Sequence, residues 1–160
     1  MLGNFHACRF ERLDFASRAA CRAFDDRASG RGSIVNVSSA HALIGRKGMG
    51  LYDSTKAGML AMTRTLAFEE VQYGVRVNAV CPGSTFTDFH IGRAVAAGKS
   101  PAQLKTERAG NSLMGRWAEP QEMAWPIVWL ASDEASFITG ATLMADGGQR
   151  WFVISTSDLD

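Results

Sequence analysis

Apolar and polar positions along the chain change period several times, and each change marks a structural element. Over residues 13–28, apolar or small side chains at Leu13, Phe15, Ala16, Ala19, Ala20, Ala23 and Phe24 follow a helical period until Gly30 and Gly32 break it. Ser33 to Ser38, S-I-V-N-V-S, is a short β-branched run after glycine, the pattern of a buried parallel strand. A loop with Gly45, Gly48 and Gly50 follows. From Tyr52 to Tyr73 the period is helical again, with one stripe at Leu60, Thr63, Ala67 and Val71 and another at Met59, Met62 and Leu66. Two stripes fit either burial on two sides, against a sheet and a second subunit, or one wide core face. Tyr73-Gly74 ends that helix, and Val75 to Val80, V-R-V-N-A-V, predicts the next strand before Cys81-Pro82-Gly83. Strand, helix and strand at this spacing predict a βαβ unit with a parallel sheet and a right-handed crossover.

Strand character then disappears from Ser84 to Ala118, where two short helices are expected at about Asp88 to Ala97 and Pro101 to Ala109. A polar insertion after the carboxyl end of a strand is where an α/β fold places a substrate lid. Glu119-Pro120 opens a further helix, and Pro126 inside it should bend it or displace a hydrogen bond. Ala141 to Ala145 predicts the last strand, followed by Asp146-Gly147-Gly148; residues 149–160 form a tail without an assigned element.

Composition narrows the class. The chain has 160 residues, 46% of them hydrophobic and 21% charged, enough for one soluble domain with a core. A net charge of +1 gives no bulk attraction to nucleic acid or membrane, and neither partner is expected. Cys8, Cys21 and Cys81 are odd in number and lack metal or redox spacing, so no metal site and a cytoplasmic setting are expected.

Candidate chemistry lies at Tyr52-Asp53-Ser54-Thr55-Lys56. A phenol and an ammonium four positions apart share a helix face, and the cation favours the phenolate. Tyr52 is therefore a candidate general acid/base, although a Tyr-x-x-x-Lys spacing also arises on solvated helix faces. The G-x-x-G-x-G of Gly45 to Gly50 is not a dinucleotide fingerprint, because several residues separate it from the strand; a mobile loop beside the site fits better. His41, His90, Met114 and Trp117 are open between pocket lining and ordinary loop or lid roles. Trp125 and Trp129, four apart, read as core or interface; Cys81 as a small buried hydrophobe; Asn78 as a tie between strands; Glu69 and Glu70 as surface charge.

Taken together, the segments I-V-N-V-S-S at Ile34 to Ser39, Y-D-S-T-K-A-G at Tyr52 to Gly58 and V-N-A-V-C-P-G at Val77 to Gly83 resemble the short-chain dehydrogenases/reductases. So do G-R-W-A-E-P-Q-E at Gly115 to Glu122, W-L-A-S-D at Trp129 to Asp133 and I-T-G-A-T-L-M-A-D-G-G at Ile138 to Gly148. The resemblance implies an α/β fold, a partial Rossmann-like doubly wound parallel sheet made of its last three strands with flanking helices. Residues 1–148 would form that domain, with the lid at about 84–118. It implies an oxidoreductase using NAD or NADP on a small-molecule alcohol or ketone, assembled as a homo-oligomer. By resemblance the catalytic residues are Ser39, Tyr52 and Lys56. Tyr52, Lys56, Pro82, Gly83 and Thr87 would bind the cofactor, with Ser39 holding the substrate oxygen and Lys56 the nicotinamide ribose.

The family's T-G-x-x-x-G-x-G cofactor turn and its N-N-A-G segment do not occur, and Arg9, Phe10, Glu11 and Arg12 stand where its fourth catalytic residue, an asparagine, is expected. The chain therefore reads as truncated: the family's catalytic half, with weak cofactor binding in isolation and an exposed sheet edge. The alternative is an inactive remnant acting only as a structural or oligomer-forming subunit.

Overall fold

The computed structural model describes residues 30–107 and 112–149. The helix expected at 13–28, the missing-asparagine region and the tail from residue 150 lie outside the described residues. The elements are β1 (Gly32–Val37), α1 (Gly50–Glu70), β2 (Val75–Pro82), α2 (Asp88–Ala96), α3 (Pro101–Glu107), α4 (Pro120–Ala131) and β3 (Thr142–Ala145). Single 3-10 turns occupy Ala40–Ala42, Val71–Tyr73 and Asp133–Ala135. The three strands are parallel in the order β1-β2-β3, with Val80 opposite Val37 on one side and Leu143 on the other. This is the partial Rossmann-like α/β sheet that the motifs imply. Among the described residues β1 pairs only with β2.

β2 is the central strand, and Val75, Val77, Ala79, Val80 and Cys81 are fully buried along it. Unbroken burial from Val77 to Cys81, the polar Asn78 included, belongs to a strand covered on both faces. On one face Ile34, Val75 and Val77 pack with Ala67 and Leu66 of α1, and Ala79 and Cys81 with Leu60. On the other, Val80 packs with Leu130 and Ile127 of α4 and with Ala135.

Leu60, Thr63 and Ala67 are buried as one line of α1, while Met59, Met62 and Leu66 form a half-buried flank. Val71 leaves the line and is exposed, because the chain tightens into a 3-10 turn there and rotates the side chain outward. Glu70 takes the next buried place at 1% exposure. The expectation that Glu70 is surface charge is therefore wrong: positions 60, 63, 67 and 70 share a face whatever their polarity.

Buried polar groups are tied across elements. Thr63 Oγ1 donates to Met59 O at 2.7 Å and accepts from Asn36 Nδ2 at 2.9 Å. Asn78 donates to Ile138 O at 2.8 Å and accepts from Ala141 N at 3.0 Å, tying β2 to the approach of β3 as expected. The Arg76 guanidinium donates to Leu130 O and Ser132 O, both at 2.9 Å, at the carboxyl end of α4. Pro126 leaves α4 continuous, and its missing N–H removes one helical bond. Trp125 is 71% exposed, which corrects the core reading of that side chain.

Residues 84–118 contain α2 and α3 as expected, and carry a small core of Ala94, Leu104 and Trp117 with Phe86. Trp117 Nε1 donates to Leu104 O at 3.2 Å. The base of the insertion is closed by two bonds, Phe86 N to Ala118 O at 2.8 Å and Ala118 N to Ser84 O at 2.9 Å. Beside it Arg116 makes a bidentate pair with Glu122, at 2.6 and 2.7 Å. The Arg116 guanidinium, helped by the Glu119 backbone N–H, holds the Glu122 carboxyl down from 4.5 to about 2. A depressed carboxyl stabilises the fold above its ordinary range and loses that contribution as pH falls from about 4.5 towards 2. Glu122→Gln should therefore flatten the acid side of the stability-pH profile in that window, slightly because the pair is exposed. Chemical denaturation of both proteins at several pH values checks this.

No helix among the described residues is long and apolar enough to cross a membrane.

Candidate active site

Every sequence-predicted site residue lies at the carboxyl edge of the sheet. Ser39 follows β1, and Tyr52 and Lys56 occupy the first two turns of α1. The pairing of β1 with β2 continues one residue beyond Val37, with Ser38 N donating to Val80 O at 2.8 Å. Ser38 Oγ then donates to Lys56 O at 2.8 Å, which seats the start of α1 against the strand end.

Lys56 Nζ donates to Val37 O at 3.0 Å and stands 5.9 Å from the centre of the Tyr52 ring. The helical spacing thus brings phenol and ammonium together, and Tyr52 remains 41% exposed. Ser39 is 6% exposed, and its Oγ accepts the His41 backbone N–H at 3.2 Å. It caps the 3-10 turn through an oxygen lone pair, so its own proton is not used in that bond. The strand-end turn role and a hydrogen-bonding site role are thus compatible in one side chain.

Around this trio the structure adds residues that the sequence did not single out. Arg46 Nη2 donates to Asp53 Oδ1 at 2.7 Å, and its guanidinium carbon lies 5.3 Å from the Tyr52 ring centre. The Arg46 hydrogen bond holds the Asp53 carboxyl below the usual range. The glycine-bearing loop expected to be mobile is therefore tied to α1 through Arg46. On the other side, Gln149 bridges two loops. Its Oε1 accepts Ser84 N at 3.1 Å, and a backbone N–H can only donate. Its Nε2 is consequently the donor toward His41 Nε2 at 3.1 Å, which assigns the His41 proton to Nδ1 when the ring is neutral. His41 thus lies at a junction beside Ser39. Gln149 is 108 positions from His41, a pairing no local pattern could reveal.

Pro82 ends β2, and Gly83 N donates to Ala145 O at 3.0 Å. A Cβ on Gly83 would sit 2.6 Å from Asp146 Cα and 2.9 Å from Asp146 O. The missing side chain is needed for packing against the turn after β3. Gly83→Ala should cost about 1–3 kcal/mol, since backbone stands in the way, read as a lower denaturant midpoint; an unchanged midpoint would show that this turn can move. Thr87 precedes α2, its Oγ1 2.9 Å from His90 Nδ1. His90 meets the buried Trp117 edge to face, with centroids 5.3 Å apart, and Met114 is exposed. Cys81 is fully buried, and burial pushes its thiol up, as a structural cysteine requires. A cavity of about 510 Å³ opens beside this turn, lined in part by Gly83, Ser84, Met114, Met123, Met144 and Asp146.

The same segments carry the likeness to known proteins. A sequence profile described as Enoyl-(Acyl carrier protein) reductase matches residues 15–150. An uncharacterized oxidoreductase of Thermotoga maritima is 43% identical over 119 residues, covering 74% of this chain and 47% of its own length. The acetoacetyl-CoA reductase of Rhizobium meliloti is 44% identical over 124 residues, 77% of this chain and 48% of its own. Among solved structures, the ligand-free aldohexose dehydrogenase of Thermoplasma acidophilum superposes with a TM-score of 0.71 at 34% identity, covering 78% of this chain and 51% of that one. ElxO, solved with NADP bound, gives a TM-score of 0.71 at 29% identity over 79% of this chain and 49% of its own. The chain spans about half the length of the curated relatives it matches. With the profile covering most of the chain and the strand-end motifs in register, this chain belongs to the short-chain dehydrogenase/reductase family.

Proposed function

We propose that this chain carries the proton-transfer site of an NAD(P)-dependent oxidoreductase that interconverts a secondary alcohol and a ketone. The observation that carries this reading is the Lys56 ammonium held on Val37 O at the end of β1 and 5.9 Å from the Tyr52 ring centre, with Ser39 two residues beyond Val37. Tyr52 gives its proton to the carbonyl oxygen in reduction and takes it back in oxidation. Lys56 places its ammonium 5.9 Å from the centre of the Tyr52 ring. Ser39 donates to the same substrate oxygen and holds it beside the phenol. The relatives are named a reductase, of acetoacetyl-CoA, and a dehydrogenase, of aldohexose, which fits this division of roles.

The residues present fit one end of a nicotinamide cofactor. Lys56 uses one proton on Val37 O, and an ammonium has two more for a ribose diol. Pro82, Gly83 and Thr87 line the adjoining strand end, where the carboxamide side would rest. When bound, the cofactor supplies the hydride. Its adenine and pyrophosphate end finds no T-G-x-x-x-G-x-G turn in this sequence. Much of the binding free energy normally comes from that end, so affinity in the isolated chain should be weak.

Titration with NADH and NADPH, followed by nicotinamide fluorescence, tests the proposal. Saturable binding lost in the Tyr52→Phe, Lys56→Ala double variant supports it. No binding at cofactor concentrations on the order of millimolar overturns it for this chain.

A further inference from the structure

We infer that Arg46 is a positioning residue for Tyr52, latching the loop before α1 onto that helix's first turn through Asp53 and the tyrosine ring. The role deepens the reading of Tyr52 as acid/base and rests on it.

The start of α1 needs such a latch. Its N-cap position is Met49, which offers no side-chain hydrogen bond, so the first-turn N–H groups are not capped in the usual way. Tyr52 is the third residue of this helix, inside the turn that frays most easily when a cap is missing. Gly45, Gly48 and Gly50 bracket the approach, and a Cβ on any of them would meet nothing within 4 Å. The local chain is therefore both uncapped and loosely packed.

Arg46 supplies what the cap does not. Its Nη2 reaches Asp53 Oδ1 at 2.7 Å, and Asp53 N is bonded to Met49 O at 2.9 Å, so the ion pair grips the first turn itself. The pair is not a loose surface contact, because the Asp53 side chain is only 13% exposed. Arg46 Nε and Asp53 Oδ2 are buried without hydrogen-bond partners. They are the two atoms that a side-on bidentate guanidinium-carboxylate pair joins, and neither is bonded elsewhere. The guanidinium also lies 5.3 Å from the Tyr52 ring centre, within cation-π range. One side chain thus restrains both the backbone turn and the ring on it.

The test needs neither cofactor nor turnover. The chain has two tyrosines, so Tyr73→Phe leaves Tyr52 as the single reporter for a ¹³C-tyrosine ring signal in the full-length chain. In that background Arg46→Ala should shift and broaden the Tyr52 ring signal and raise exchange of the hydrogen-bonded amides at residues 53–56, which begin with Asp53 N on Met49 O, roughly three- to tenfold. Exchange in Val75–Pro82 should stay unchanged. Asp53→Asn should raise first-turn exchange in the same direction. Arg46→Lys should restore exchange protection in part through its charge. If Arg46→Ala disturbs the sheet as well, Asp53→Asn carries the test. An unmoved ring signal together with unchanged exchange over 53–56 overturns the latch. Loss of the proposed chemistry with the latch intact would instead count against the Tyr52 reading alone.

Discussion

Tyr52→Phe is expected to lower hydride-transfer turnover with a ketone by roughly 10²–10⁴-fold, the range that a positioned general acid contributes. The substitution removes only the hydroxyl. The ring stays available to the Arg46 and Lys56 cations beside it, so the fold and the first turn of α1 should be unaffected. Nicotinamide affinity should change by less than about threefold, because the ammonium of Lys56 remains. Turnover followed as loss of nicotinamide absorbance checks the prediction. A variant that keeps within about threefold of the parent rate would remove Tyr52 from the reaction.

Leu130→Ala should destabilise the chain by about 2–5 kcal/mol, the range for deleting a buried leucine side chain. Leu130 is 1% exposed and packs on Val80 of the central strand and on Ala135. It fixes α4 through side chain and backbone together, since its carbonyl accepts from Ser33 Oγ and from Arg76 Nη1, both at 2.9 Å. The alanine variant keeps the carbonyl and loses the packing. For a chain of this size each kcal/mol lowers Tm by about 2–4 °C. A loss under about 1 kcal/mol would mean that α4 collapses into the space left behind.

The periodic parts of the fold were legible in the residues. A β-branched run bounded by glycine forecast β1, and the V-R-V-N-A-V run forecast β2, whose observed span continues to Pro82. Both are short and buried, so side-chain type and period agree. The helix at Tyr52 was legible for the same reason, although α1 begins at Gly50. Glu70 shows where this reasoning stops. Polarity suggested an outside position, and the geometry of the helix placed it inside. Val71 failed in the reverse sense, because a change to 3-10 geometry is not written in hydropathy.

The site divides along the same line. Tyr52 and Lys56 lie within one helix, so their spacing alone brought them together. Pro82, Gly83 and Thr87 were placed by motif, and the structure adds a packing reason for Gly83 in its contact with Asp146. Arg46 gave no sign in the sequence beyond its presence in a glycine-bearing loop, because its pairing with Asp53 depends on how that loop folds back. Gln149 gave none at all, since its partners Ser84 and His41 are 65 and 108 positions away.

By itself, then, the sequence determined the strands and helices of the described residues, their parallel arrangement and the phenol-ammonium pair, all of which depend on short-range period and spacing. Tertiary structure alone decided which loops meet at the carboxyl edge of the sheet, and with them Arg46 over Tyr52 and Gln149 beneath His41. The first contact folds a loop back onto the helix that follows it, and the second joins residues 108 positions apart, so neither follows from a local period of side chains.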